Sequence, residues 1–203
     1  MLTTTMPKWA APTCAAGLAA LFVVASSPAL AADAAASSTE EVMQGKAEAT
    51  AELRTPEGQV LGTVSFHETP SGMLWVAAHA TDVPPGRHGF HIHETGTCDA
   101  DTDFKSAGGH LAGGHAHGVL DARGPHPGDL PNVTVHDDGR LDAEFFLQRL
   151  SVDEGLWLGD AALFDSDGAA VVLHDGADDY ESQPSGAAGP RIACGVIERV
   201  GEP

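Results

Sequence analysis

Six histidines fall between Gly89 and His126, at His91, His93, His110, His115, His117 and His126, and Asp129 follows closely. Residues two apart on a β-strand share a face, so His91 and His93 can aim at one ion from a single rigid strand. The remaining histidines then require a loop that folds back over that strand. Imidazole suits copper and zinc, and one carboxylate added to three imidazoles suits tetrahedral zinc better than the square-planar arrangement of Cu(II). Two different metals are therefore expected. Any single histidine here fits an ordinary surface loop; the set does not.

The rest of the chain reads as short alternating stretches separated by turn residues. Ala47 to Arg54, Gln59 to His67 and Met73 to Thr81 alternate, with Thr55-Pro-Glu-Gly58 and Thr69-Pro-Ser-Gly72 between them. These are hairpin signals. Alternation returns at His88 to His93, Val133 to His136, Arg140 to Leu147, Ala161 to Phe164 and Ala169 to His174. No long stretch has helical periodicity. The expected fold is all-β, an antiparallel sandwich or Greek-key barrel of about eight strands. Two long loops, 94 to 130 and 175 to 190, lie over one face. Loops longer than about 15 residues are usually functional or disordered, and the first of these carries the histidines.

Residues 1–31 read as a signal peptide, with Lys8, an apolar run from Cys14 to Ala25, and Ala29-Leu-Ala31 as a cleavage site. That run falls short of the roughly 20 apolar residues a spanning helix needs, and Cys14 precedes it where a lipid-anchor cysteine would follow, so no membrane anchor is expected. Residues 32–45, rich in Ala, Ser and Glu, read as a flexible linker to a domain over 46–203. Cys98 and Cys194 remain after cleavage. In an oxidising compartment such an even pair predicts a disulfide. The net charge of −19 disfavours nucleic acid and fits a soluble exported protein. Asn132-Val-Thr134 matches a glycosylation sequon and is read as coincidence in a chain of bacterial character.

Five stretches in order, Gly89-Phe-His-Ile-His-Glu94, Phe104-Lys-Ser-Ala-Gly-Gly-His110, His126-Pro-Gly-Asp-Leu-Pro-Asn132, His174-Asp-Gly-Ala-Asp-Asp-Tyr180 and Gly189-Pro-Arg-Ile-Ala-Cys-Gly195, resemble copper/zinc superoxide dismutase of the bacterial secreted type. The resemblance runs from about Ala47 to Ile197. It implies that His91, His93, His110 and His174 hold copper, and that His110, His117, His126 and Asp129 hold zinc, with His110 bridging the two. His117 is preferred to His115 because Gly118 follows it as in the family's His-Gly. Asp178 is implied to accept hydrogen bonds from His91 and His117, and Arg191 to attract and orient superoxide. His67, His79, His88 and His136 are read as structural.

The implied reaction converts two superoxide and two protons to oxygen and hydrogen peroxide in the periplasm, with Arg191 and His110 as the catalytic side chains. A metal-binding relative without turnover would lack a copper ligand or the arginine, whereas all seven ligands and Arg191 are present. An adhesive sandwich with incidental histidines fails on the ordered motifs. One departure concerns charge: Leu173 to Pro190 carries no Lys or Arg, and Glu181 adds a negative charge. Steering then falls to Arg191 and the metals, unless Lys105 or Arg123 folds nearby. A monomer and a homodimer both remain open.

Overall fold

The computed structural model describes residues 48–154 and 160–201. The signal and linker readings, 1–31 and 32–45, lie outside the described residues. Among the described residues eleven strands form: β1 (Ala49–Arg54), β2 (Val60–Glu68), β3 (Leu74–Ala80), β4 (Gly86–His88), β5 (Phe90–His93), β6 (Val133–Val135), β7 (Leu141–Leu147), β8 (Leu150–Asp153), β9 (Ala161–Phe164), β10 (Ala170–His174) and β11 (Arg191–Arg199). Two single 3-10 turns, Ala100–Thr102 and Lys105–Ala107, interrupt the first long loop.

Alternation drives the architecture. On β1 the small and apolar Ala49, Ala51 and Leu53 face inward while Glu52 and Arg54 face solvent. Seven strands form one curled antiparallel sheet, ordered β5-β10-β11-β1-β2-β3-β7. Neighbours such as β5 with β10 and β11 with β1 are distant in sequence, as in a Greek key. Short pairs β4-β6 and β8-β9 complete the half-barrel. Phe66, Phe90, Leu53, Leu141, Leu163 and Leu173 fill its interior. Each such side chain contributes about 1.5–3 kcal/mol on leaving water.

Three details differ from the sequence reading. The stretch His88 to His93 is two strands, because Gly89 leaves the ladder: its N–H donates to the Gly176 carbonyl (2.8 Å) and its carbonyl accepts from His174 N–H (2.9 Å). A Cβ there would also collide with Ala188. The strand β8 was not expected, and it pairs with β9 in parallel, unlike the antiparallel pairs of the main sheet. The C-terminal β11 and the split of β4 from β5 raise the total above eight.

The predicted disulfide joins Cys98 to Cys194, 96 residues apart in sequence. It ties the first long loop to β11 over a small apolar cluster of Phe104, Ala107, Ala170 and Val172. The two long loops also hold one another, through His117 N–H to Gln183 Oε1 (3.0 Å) and Asn132 Nδ2 to the Asp178 carbonyl (2.8 Å).

Candidate metal centre

β5 carries His91 and His93, and β10 ends in His174; all three side chains are buried. The first long loop returns to close the free edge of β5. Leu111 N–H donates to the Ile92 carbonyl (2.8 Å), and Ile92 N–H donates to the Gly128 carbonyl (2.9 Å). These bonds set His110 beside His93 and Asp129 beside His91 as isolated bridges. A glycine is needed at 128, since a Cβ would strike the Ile92 carbonyl.

Each ring of the first cluster is oriented from behind. His91 Nε2 donates to Asp178 Oδ2 (2.8 Å), His93 Nδ1 to the Gly108 carbonyl (3.1 Å), and His174 Nδ1 to the Gly189 carbonyl (3.1 Å). Carbonyl and carboxylate oxygens only accept, so those nitrogens carry the protons and the opposite nitrogens keep lone pairs. His91 Nδ1, His93 Nε2, His110 Nε2 and His174 Nε2 are all buried without a hydrogen-bond partner. Orphaned buried nitrogens are costly unless something else fills their lone pairs. The four residues form one group whose ligand atoms lie within 4.8 Å of one another.

A second group consists of His110, His117, His126 and Asp129, again with ligand atoms within 4.8 Å. Three Nδ1 atoms surround one carboxylate. His110 and His126 lie 2.8 and 3.0 Å from Asp129 Oδ1, and His117 lies 3.0 Å from Oδ2. Asp129 Oδ2 also accepts from the N–H groups of Gly118 (2.9 Å) and His126 (3.0 Å). His110 belongs to both groups and presents a different nitrogen to each.

Asp178 lies between the groups. Its second oxygen accepts from His117 Nε2 at 3.1 Å. Asn132 fixes the aspartate's backbone by donating to its carbonyl and accepting its N–H at 2.7 Å. Gly186, with φ +68°, passes so close that a Cβ would collide with Asp178 and His117. Burial pushes His91 down to about 4, against the pull of Asp178, and pushes His174 down to about 3. Burial alone would raise the two carboxyls, but hydrogen bonds from the histidines and backbone outweigh it. Asp178 falls to about 2 and Asp129 well below the carboxylate range. Neutral imidazoles beside ionised carboxylates are the donor states that bind cations.

An open cavity of about 760 Å³ reaches the first group, lined by His93, His110, His174 and Arg191 and, at its mouth, Lys105 and Asp103. Arg191 Nη1 and Nη2 donate to the carbonyls of Phe104 and Gly108, both at 2.6 Å. The guanidinium is thus held half-buried beside the histidines.

Comparison with known proteins follows the same lines. The family model for copper/zinc superoxide dismutase matches residues 60–197. The chain belongs to the copper/zinc superoxide dismutase family. It is 44% identical to "Superoxide dismutase [Cu-Zn] 2" of Aquifex aeolicus over 73% of this chain and 85% of that one. A SOD-like protein from Bacillus subtilis superposes with TM-score 0.66 at 36% identity, covering 72% of this chain and 95% of that one. The Cu/Zn superoxide dismutase from Brucella abortus gives TM-score 0.57 at 30% identity, covering 74% and 100%.

The dismutase-family donor set fits copper and zinc on this chain's own geometry, because the orphaned nitrogens of the first group converge and the second adds a carboxylate to three imidazoles. The structure brings together the seven residues expected to bind metal, Asp178 and Arg191. His115 does not join it; its Nε2 donates to Asp160 at 3.0 Å. Of the two cations considered for steering, Lys105 lines the cavity mouth, whereas Arg123 is spent on Asp121 (2.8 Å) away from the cavity.

Two supporting residues escaped the sequence reading, and His88, read as structural, is buried in such a role with Nδ1 2.8 Å from the His174 carbonyl and Nε2 2.8 Å from that of Pro84. Gln183 brackets the His117 backbone, accepting its N–H and donating to its carbonyl. Asn132, which closes the His126 to Asn132 motif and was given no role there, has its amide committed to Asp178. Polar residues in loops give little sequence signal for such long-range pairs.

Proposed function

We propose that this dismutase disproportionates superoxide with His91, His93, His110 and His174 holding copper, and His110, His117, His126 and Asp129 holding zinc. The observation that carries the reading is His110, whose Nδ1 faces Asp129 while Nε2 is an orphan facing the first cluster. Bound copper supplies the one-electron chemistry, alternating between Cu(II) and Cu(I) as one superoxide is oxidised to oxygen and the next reduced to hydrogen peroxide.

The protein's own groups do the rest. Arg191 offers a half-buried guanidinium to a small anion in the cavity, with its two carbonyl bonds fixing the plane in which it donates. His110 Nε2 would take up a proton when reduced copper no longer occupies that nitrogen, and would give it to the departing peroxide, solvent supplying the second. Asp129 keeps the other face of that ring in register. Asp178 couples the two groups by orienting a ring in each. Lys105, exposed at the mouth and paired with Asp103 at 3.0 Å, adds a modest local attraction on an acidic surface.

The same reading places the protein outside the cytoplasm, in the periplasm, where the Cys98–Cys194 bridge persists and the leader over 1–31 is removed. The test is superoxide disproportionation by the purified mature protein before and after copper is withdrawn. Activity that leaves and returns with copper supports the enzyme; bound metals without turnover would leave a metal-binding protein.

A further inference from the structure

His115 and Arg149 are side chains that the reaction does not use, yet they meet at the base of the loop carrying His117 and His126. We infer that Arg149 is a positioning residue for the zinc-side group, fixing the spacing of its two loop arms from the barrel; this rests on reading the Asp129 group as the zinc site.

Arg149 is anchored before it reaches the loop. It directly precedes β8, and its carbonyl accepts the N–H groups of Asp160 (2.8 Å) and Ala161 (3.3 Å) at the start of β9. The parallel β8-β9 pair is therefore the platform from which the guanidinium extends. Nη2 donates to the Pro125 carbonyl at 2.5 Å, one residue before His126. Nη1 lies 3.4 Å from His115 Nδ1, two residues before His117. A guanidinium only donates, so His115 Nδ1 accepts where Arg149 holds the ring, and the Arg123 carbonyl 3.3 Å from that nitrogen is then a close neighbour without a hydrogen bond. The ring proton then sits on Nε2 and goes to Asp160 Oδ2 at 3.0 Å.

Both arms are gripped where they leave the barrel. Between the grips the loop closes on itself, Ala116 N–H meeting the Arg123 carbonyl at 3.2 Å, and its tip exposes Val119 and Leu120. His117, just inside the first grip, and His126, just past the second, set their rings 5.6 Å apart, centre to centre, around Asp129. A plain surface ion pair would have its short contact at the carboxylate. Arg149 instead stands 3.8 Å from Asp160 and makes its closest bond to the Pro125 carbonyl. Exposed pairs of the first kind contribute little, whereas outer partners of metal ligands control metal affinity.

The test follows zinc release from the fully loaded protein to a chromogenic chelator, with copper retention read in parallel. Arg149→Ala is expected to weaken zinc retention severalfold, less than the roughly 10- to 100-fold that loss of a direct partner of a ligand costs, to leave copper on the protein, and to broaden the visible bands of cobalt placed at the zinc side. Arg149→Lys, which keeps one donor, should recover part of the loss. His115→Ala should give a smaller loss in the same direction. Arg140→Ala, which removes an exposed cation just before β7, serves as control. Zinc release at the wild-type rate in Arg149→Ala and His115→Ala overturns the inference. So does a loss explained by lower melting of the metal-free variant with an unchanged cobalt spectrum. Failure of the wild-type protein to take up zinc at all strikes instead at the zinc reading beneath it, and removes this inference too.

Discussion

His174 and Arg191 stand opposite one another in the β10-β11 ladder, at a register shift that follows Leu173. The irregularity puts the last histidine of the first cluster and the cavity's half-buried cation side by side on adjacent strands. One ladder position thus joins the proposed copper group to the cavity's arginine.

Replacing His174 with Ala removes one of four converging lone pairs and leaves the Asp129 group whole. The expected outcome is loss of copper and of activity with zinc retained, measured by metal analysis of the purified variant. Full turnover at equal copper content contradicts the assignment.

Replacing Arg191 with Ala leaves all seven proposed metal ligands in place. Superoxide turnover is expected to fall by about tenfold or more at low salt, with a smaller ratio at high salt as screening removes the attraction. Lys105→Glu should produce a weaker loss of the same kind. Rates that stay equal to wild type across salt would show that neither cation serves the substrate.

Asp178→Ala should weaken both groups together, because His91 and His117 lose the acceptor that orients them. Zinc affinity is expected to fall about 10- to 100-fold, read by competition with a chelator. A change confined to one metal would mean that the aspartate is not a shared support.

Breaking the bridge with Cys98→Ser should cost about 2 to 5 kcal/mol of stability by freeing a long loop in the unfolded chain. It should also lower turnover, since the segment after Cys98 supplies the Phe104 and Gly108 carbonyls that hold Arg191. Denaturant unfolding and activity of the same sample check both; unchanged activity would separate the bridge from the arginine.

The metal-free protein should lose stability on mild acidification. His91 and His174 titrate near 4 and 3 in the folded chain against an ordinary 6.5, so the unfolded state takes up protons first. Their contribution is complete above pH 6.5 and declines as pH falls toward 4 and then 3. Asp178, at about 2 rather than 3.8, extends the decline below pH 3.8. Urea midpoints that are flat from pH 7 to 4.5 would refute this.

Much of the centre was legible because its chemistry is local in sequence. His91 and His93 share a strand face, and His126 and Asp129 share one turn of loop. The turns at Gly58 and Gly72 were equally plain, each closing on the threonine three residues earlier. What pattern could not supply were pairings across the fold. Lys105 and Arg191 are far apart in sequence, and only the bonds from Arg191 to Phe104 and Gly108 bring the lysine to the cavity mouth. Arg149 drew no reading from the sequence, where β8 itself was not expected. Gly89 breaks a strand for the sake of contacts with Gly176 and His174, and alternation is blind to these.

The most direct measurement is diffraction from crystals of the metal-loaded protein at the copper and zinc absorption edges. Copper density bounded by His91 Nδ1 and the Nε2 atoms of His93, His110 and His174, with zinc density bounded by Asp129 and the Nδ1 atoms of His110, His117 and His126, is the predicted result. A single metal, or His110 bound on one side only in the oxidised protein, would contradict the shared-histidine centre.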